Sequence, residues 1–203
     1  MVLTRAAGLS YAGPVTAFQP AGRSPAPAPL RLLQDFVNTE IPEWGQDDIG
    51  SPAALAGWLV ERALLEPAVA VTPEDFLRAR GFRSCLRTLA LANTTGRPLT
   101  AEARDECAQE LGRLVFACGL GPDGEPSFAA AGDGVDRALA RLASIAVAAT
   151  QDGTWARFKA CRKSSCGWVF YDRSRNRSSN WCSMTICGNR TKTAVYRRRR
   201  AAS

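Results

Sequence analysis

Cys161 and Cys166 are separated by four residues, Cys182 and Cys187 also by four, and fifteen residues lie between the two pairs. This spacing constrains the chain more than any other feature. Two close thiol pairs joined by a short loop can converge as two claws on one tetrahedral ion. The chain contains no histidine, so a transition metal here takes sulfur or oxygen ligands. The same absence excludes Ser-His-Asp and Cys-His catalysis, which need an imidazole to carry the proton. One structural zinc ion is the natural occupant, because four thiolates leave it no open position. An iron–sulfur cluster uses the same donors, and buried free thiols or two disulfides are the remaining readings.

Charge divides the chain at the same place. Residues 155–203 carry 13 basic side chains and one acid, Asp172, whereas residues 1–154 carry 13 basic and 18 acidic ones. The formal charge of +7 therefore averages a mildly acidic body with a strongly basic end, and the basic end suits a polyanion. A module of about 45 residues rarely folds on apolar burial alone, so a metal would supply the missing stability.

Seven cysteines in all argue against a closed secreted disulfide framework. Cys85, Cys107 and Cys118 read as small core side chains. The opening MVLTRAAGLS lacks the apolar core of a signal peptide, and no stretch approaches the roughly 20 apolar residues of a membrane span. The expected setting is cytoplasmic and reducing, with no membrane partner, and there clustered cysteines bind metal more often than they pair.

Residues 1–29, rich in Ala, Gly and Pro, read as a flexible lead-in. Residues 30–152 read as an α+β body, mainly helical. Ser51-Pro52 starts one helix, with Leu55, Trp58, Leu59, Arg62 and Leu65 at helical spacing. Thr72-Pro73-Glu74-Asp75 starts a second, whose buried side is expected from Phe76, Leu77, Leu86, Leu89 and Ala90 and which ends at Gly96. Thr100 caps a third. Residues 114–120 and 127–130, around the turn GPDGEP, predict a small β-hairpin. Asp133-Gly134 opens a last helix over 135–150, which Gln151-Asp152-Gly153 breaks. Residues 153–203 then form the cysteine module, with a strand at Trp168-Val169-Phe170-Tyr171 and a basic C-terminal helix after Cys187.

Cys187-Gly188-Asn189-Arg190 resembles the signature of the bacterial CGNR zinc-finger proteins. The likeness runs through Cys166-Gly167-Trp168-Val169-Phe170-Tyr171-Asp172, Ser174-Arg175-Asn176-Arg177-Ser178 and Trp181-Cys182-Ser183-Met184. Asp35-Phe36-Val37-Asn38-Thr39 looks like the DFVNT motif that opens the associated ABATE domain. The resemblance covers residues 30–200. It implies a transcription regulator of a type in part linked to stress responses, with a zinc finger that binds DNA. Gln34 departs from the pattern where an apolar residue is usual, and Ser179-Asn180 where basic residues are expected.

Arg173, Arg175 and Arg177 alternate with Ser and Asn before the second cysteine pair, and Arg190, Lys192, Arg197, Arg198, Arg199 and Arg200 follow it. These side chains suit phosphate contact, and Asn189 and Arg190 are residue types that read base edges. Against this, Asn189 and Arg190 equally suit capping the helix and hydrogen-bonding the cysteine sulfurs of a metal claw, and the arginine run suits a solvated tail. Trp168 and Trp181 could stack bases but suit core packing better, and Asp172 suits organising the arginine loop. Asp35 and Asn38 would share a helix face, either at a ligand or in structural hydrogen bonds. The function expected is a zinc-dependent DNA-binding transcriptional regulator whose body senses an unidentified small-molecule effector or forms a homodimer. RNA binding, or a protein-interaction module with structural zinc, are the alternatives. An enzyme is not expected, since four sulfurs close the metal site and no glycine-rich phosphate loop is present.

Overall fold

A computed structural model of the chain describes residues 19–191 and 193. Five helices make up most of the body: α1 (Leu30–Val37), α2 (Pro52–Glu61), α3 (Pro73–Thr95), α4 (Ala101–Gly112) and α5 (Gly134–Gln151). Three antiparallel strand pairs accompany them: β1 (Glu40–Ile41) with β2 (Gln46–Asp47), β3 (Phe116–Leu120) with β4 (Pro126–Ala130), and β5 (Phe158–Ala160) with β6 (Val169–Tyr171). The fold is α+β and mainly helical, and its four clustered cysteines lie at the C-terminal side.

The helix ends follow from local chemistry. The Ser51 hydroxyl accepts from the Ala54 N–H, and Thr100 caps α4 through the Ala103 N–H. Thr72 and Asp75 cap each other's backbone reciprocally at the start of α3, just before Pro73, which satisfies two otherwise orphaned donors. Gly96 ends α3 with φ of 63°, a left-handed geometry that glycine adopts without a Cβ clash. No described helix is long and apolar enough to cross a membrane.

The core gathers Leu33, Phe36 and Val37 of α1, Leu55, Trp58 and Leu59 of α2, Phe82 and Leu86 of α3, and Leu139, Leu142 and Ile145 of α5. Phe36 lies at its centre, with ring centroids 5.4 Å from Trp58 and 6.0 Å from Phe82. The buried face of α3 matches the expected one at Leu86 and Ala90, with Phe76 packed partly buried on the core, and departs from it at Leu77. Leu77 is exposed, and Ala79, Phe82, Arg83, Cys85, Leu86, Ala90 and Thr94 point inward; Cys107 is also buried, whereas Cys118, expected in the core, is exposed on β3. Arg83 takes an inward place because α3 packs on β5 as well as on helices and meets Asp47 of β2 there. The Arg83 guanidinium donates to both Asp47 carboxylate oxygens at 2.7 Å and to the Thr39 hydroxyl at 3.0 Å.

The β5–β6 hairpin faces two ways. Its register pairs Phe158 with Tyr171, Lys159 with Phe170 and Ala160 with Val169. Phe158, Ala160, Val169 and Tyr171 join the body core. Trp168 and Phe170 join the four cysteines and Ile41 in a second cluster. Strand alternation alone produces this split, because successive side chains point to opposite faces. The long helix α3 fixes the hairpin's position: Asn93 donates to the Trp155 and Phe158 carbonyls at 2.9 Å, and Thr94 to the Ala160 carbonyl at 2.7 Å.

Candidate metal centre and nucleic-acid interface

The first claw grows out of the β5–β6 turn. Cys161 directly follows β5, its N–H donating to the Trp168 carbonyl at 2.8 Å, and the Cys166 N–H returns to the Lys163 carbonyl at 2.9 Å. Gly167 turns the chain with φ of 61°, in a space where a Cβ would lie 3.3 Å from both Arg87 Cδ and Pro42 Cγ. Arg87 of α3 holds this knuckle, donating to the Gly167 carbonyl at 3.1 Å and to Glu40 at 2.5 Å.

The second claw is a π-type turn, Met184–Gly188. The N–H groups of Cys187 and Gly188 both donate to the Ser183 carbonyl, at 3.0 and 3.1 Å. The Ser183 hydroxyl accepts from the Ile186 N–H at 3.1 Å. A Cβ on Gly188 would stand 2.5 Å from Met184 Sδ and 3.3 Å from Trp181 Cδ1, so the glycine lets the turn close on these side chains. The lead-in braces this claw from outside. Arg23 lies 4.4 Å over the Phe170 ring and donates to the Cys182 carbonyl at 2.9 Å and the Trp181 carbonyl at 3.2 Å.

The four thiols are buried, and their Sγ atoms lie within 4.8 Å of one another. Cys182 Sγ is 3.7 Å from Cys166 Sγ and 3.6 Å from Cys187 Sγ. Four sulfurs bonded tetrahedrally to zinc would stand about 3.8 Å apart. The donor chemistry agrees. Hydrogen bonds from Cys166 and Cys182 pull the Cys161 thiol down, and its neighbours go the other way. Cys166 is pushed up to about 12 chiefly by Cys161, Cys182 is raised by Cys161 and Cys166, and Cys187 is raised by burial and by the Cys161 charge. The cluster thus resists holding four thiolates by itself, and a divalent cation at its centre removes the conflict. The four cysteines are positioned to bind one zinc ion.

Beside this centre, a buried ion pair organises the arginine loop. The Asp172 carboxylate accepts from Lys159 Nζ, the Ser174 N–H, the Ser179 N–H and the Ser179 hydroxyl, each at 2.9 Å. Burial raises this carboxyl, but hydrogen bonds from Ser174, Lys159 and Ser179 outweigh it and hold Asp172 well below the usual carboxylate range. Lys159 also donates to the Arg177 carbonyl, and Arg157 to the Asp172 and Ser174 carbonyls at 2.8 and 2.9 Å. The loop's inside is thereby occupied by its own backbone, and Arg173, Arg175 and Arg177 are exposed. Arg173 donates to the Pro25 carbonyl at 2.9 Å and lies 5.4 Å from the Tyr171 ring.

Asn189 and Arg190 are exposed directly after the second claw, and Arg190 donates to Glu43 at 3.1 Å. Lys192, Arg197, Arg198, Arg199 and Arg200 lie outside the described residues, as do residues 1–18 of the lead-in. Trp168 is buried against the thiols, and Trp181 packs half-buried on the same cluster.

Asp35 and Asn38 separate in role. Asp35 pairs with Arg31 at 2.8 Å, one helical turn away. Asn38 reaches the finger: its Nδ2 donates to the Val169 carbonyl and its Oδ1 accepts from the Val169 N–H, both at 2.8 Å. The amide thus pairs with β6 as a neighbouring strand would. Gln34 adds a second tie. It is fully buried, donates to the same Val169 carbonyl at 3.1 Å and accepts from the Ala26 N–H at 2.7 Å. Sequence reasoning gave no role to Gln34, Arg23, Lys159 or Glu43. The Gln34 departure from an apolar pattern was the one signal available.

A helical body carrying a four-thiol finger on a shared hairpin defines a zinc-finger protein. The profile of the CGNR zinc finger matches residues 157–200, and that of ABATE, described as "Putative stress-induced transcription regulator", matches residues 30–156. The chain belongs to the ABATE family and ends in a CGNR zinc finger. These are regulator and zinc-finger families, not enzyme families. No curated protein matches the chain.

Proposed function

We propose that the protein is a zinc-dependent, DNA-binding transcriptional regulator. The observation that carries this reading is the arginine loop: a buried Lys159–Asp172 pair turns Arg173, Arg175 and Arg177 outward beside a metal-stapled claw. Arginines on a fixed polar loop suit phosphate oxygens and set register on a duplex. Asn189 and Arg190, at the first turn after the second claw, are the side chains that would read base edges. Lys192, Arg197, Arg198, Arg199 and Arg200 add charge in sequence to the same end.

The body supplies the input. A cleft of about 210 Å³ between α3 and α4, lined by Ser84, Thr88, Glu106 and Gln109 among others, is the place for a small polar effector. Two copies reading paired half-sites would suit this role.

The test is a salt titration of duplex binding by zinc-loaded protein. With five or six phosphates neutralised, log K falls against log salt with a slope near −5. Replacing Arg173, Arg175 and Arg177 by Ala together lowers that slope by about 2 to 3. Absence of duplex binding at low salt overturns the reading, and tighter binding to single-stranded or structured RNA replaces DNA as the partner.

A further inference from the structure

Glu43 belongs to the body, yet its partners belong to the finger. It sits in the short 3-10 turn Pro42–Trp44, between β1 and β2. Its Oε1 accepts from Lys163 Nζ and from Arg190 Nη1, the latter at 3.1 Å. Lys163 lies inside the first claw, between Cys161 and Cys166. Arg190 lies three residues beyond Cys187, after the second claw. One carboxylate oxygen therefore gathers a cation from each half of the metal site.

Two features make this arrangement exchangeable. The Arg190 side chain is 62% exposed, so its pairing with Glu43 is solvent-screened and weak. The geometry is also that of an anion site: an ammonium and a guanidinium converging on one oxygen bind phosphate as readily as carboxylate. The buried Lys159–Asp172 pair differs on both counts. Asp172 is fully buried and Lys159 nearly so, and no incoming anion can replace that carboxylate.

We propose that Lys163 and Arg190 form a phosphate-binding pair, and that Glu43 occupies its anion position in the free protein. The ligand is a backbone phosphate of the nucleic acid, which binds by displacing the Glu43 carboxylate. The body thereby holds a competitor against its own finger. This rests on the DNA-binding reading above, and adds to it a site residue, Lys163, and an internal antagonist, Glu43.

The experiment compares zinc-loaded wild type, Glu43→Gln and Glu66→Gln on a 20-base-pair duplex of mixed sequence, by fluorescence anisotropy across a salt series. Zinc per chain and thermal midpoint are measured alongside. Glu66 is an exposed acid with no role in the pair and controls for net charge. Glu43→Gln is expected to bind about 2- to 5-fold tighter than wild type at low salt, and clearly tighter than Glu66→Gln. Adding Arg190→Ala to Glu43→Gln should abolish the gain and lower the salt slope by about 1. If wild type binds and Glu43→Gln binds no tighter, or more weakly, Glu43 is a brace and the inference is overturned alone. If neither protein binds duplex at low salt, the DNA-binding reading falls and takes the inference with it.

Discussion

The two faces of the β5–β6 hairpin show how differently one short element can be held. On the body side, Phe158, Ala160, Val169 and Tyr171 join a broad apolar core drawn from helices α1, α2, α3 and α5. On the other side, Trp168 and Phe170 join a smaller cluster with Ile41, Trp181 and the four thiols, and Arg23 lies over the Phe170 ring. The body face has enough apolar surface to bury and needs no ion. The finger face lacks it, so its order depends on the sulfur donor set, with the buried Lys159–Asp172 pair fixing the adjoining loop. Removing the ion and thinning the apolar core should therefore act on different faces.

The largest effect is expected from the metal. Stripping zinc with a chelator, or Cys182→Ser, should remove stabilisation of order 10 kcal/mol from the finger. Tryptophan fluorescence from Trp168 and Trp181 should shift while most far-ultraviolet helical signal remains. An unchanged fluorescence spectrum and thermal midpoint after complete metal removal would contradict the comparison. Next, Phe36→Ala opens a cavity between Trp58 and Phe82 and should cost about 3–5 kcal/mol, measured by urea unfolding, with zinc per chain unaltered.

Asp47→Asn should cost about 1.5–3 kcal/mol near neutral pH, because it breaks charge-assisted bonds to buried Arg83. Burial raises the Asp47 carboxyl, but the Arg83 hydrogen bond and charge outweigh it and leave the group below its ordinary value. The contribution is therefore complete above the unfolded value of about 3.9, and is lost as pH falls through the lower folded value. The difference between wild type and variant should stay level from pH 7 to about 5 and shrink only in stronger acid. A difference that vanishes by pH 6 would exclude this linkage.

Asn38→Ala removes both bonds to Val169 and should cost about 1–2 kcal/mol. Because Asn38 joins the two faces, it should also speed zinc release to a chelator, whereas Phe36→Ala should act mainly on body unfolding. The smallest effect belongs to the β3–β4 hairpin. Phe128 is 80% exposed there, and Phe128→Ser should change stability by no more than about 0.5 kcal/mol.

Much of this architecture was readable in the residues. Ser51, Thr72, Thr100 and Gly96 bound their helices because caps are local, involving side chains and backbone a few residues apart. The hairpin around GPDGEP and the four-cysteine set were legible for the same reason: spacing alone carries them. The inward face of α3 was legible at Leu86 and Ala90 but not at Arg83. Leu77 was expected inside by hydropathy, but Arg83 takes an interior place because Asp47 and Thr39, remote in sequence, meet it there. The ties from Gln34 and Asn38 to Val169 span 135 and 131 residues. Glu43 meets Arg190 across 147. Such partners become neighbours only once α1 and the β1–β2 turn have packed beside the finger, and no periodicity encodes them.

The shared hairpin has a consequence for how this molecule can be taken apart. The family profiles part between residues 156 and 157, one residue before the strand that both cores use. A finger severed there would carry Phe158, Ala160, Val169 and Tyr171 into water as a bare apolar wall, with the Asn38 amide no longer edging β6. The body left behind would have an open seam along α3, where Asn93 and Thr94 had lost their carbonyl partners. Grafting this finger onto another protein should therefore yield a sticky fragment unless α1 and α3 travel with it, and the transferable unit is the finger together with the helices that wall it in.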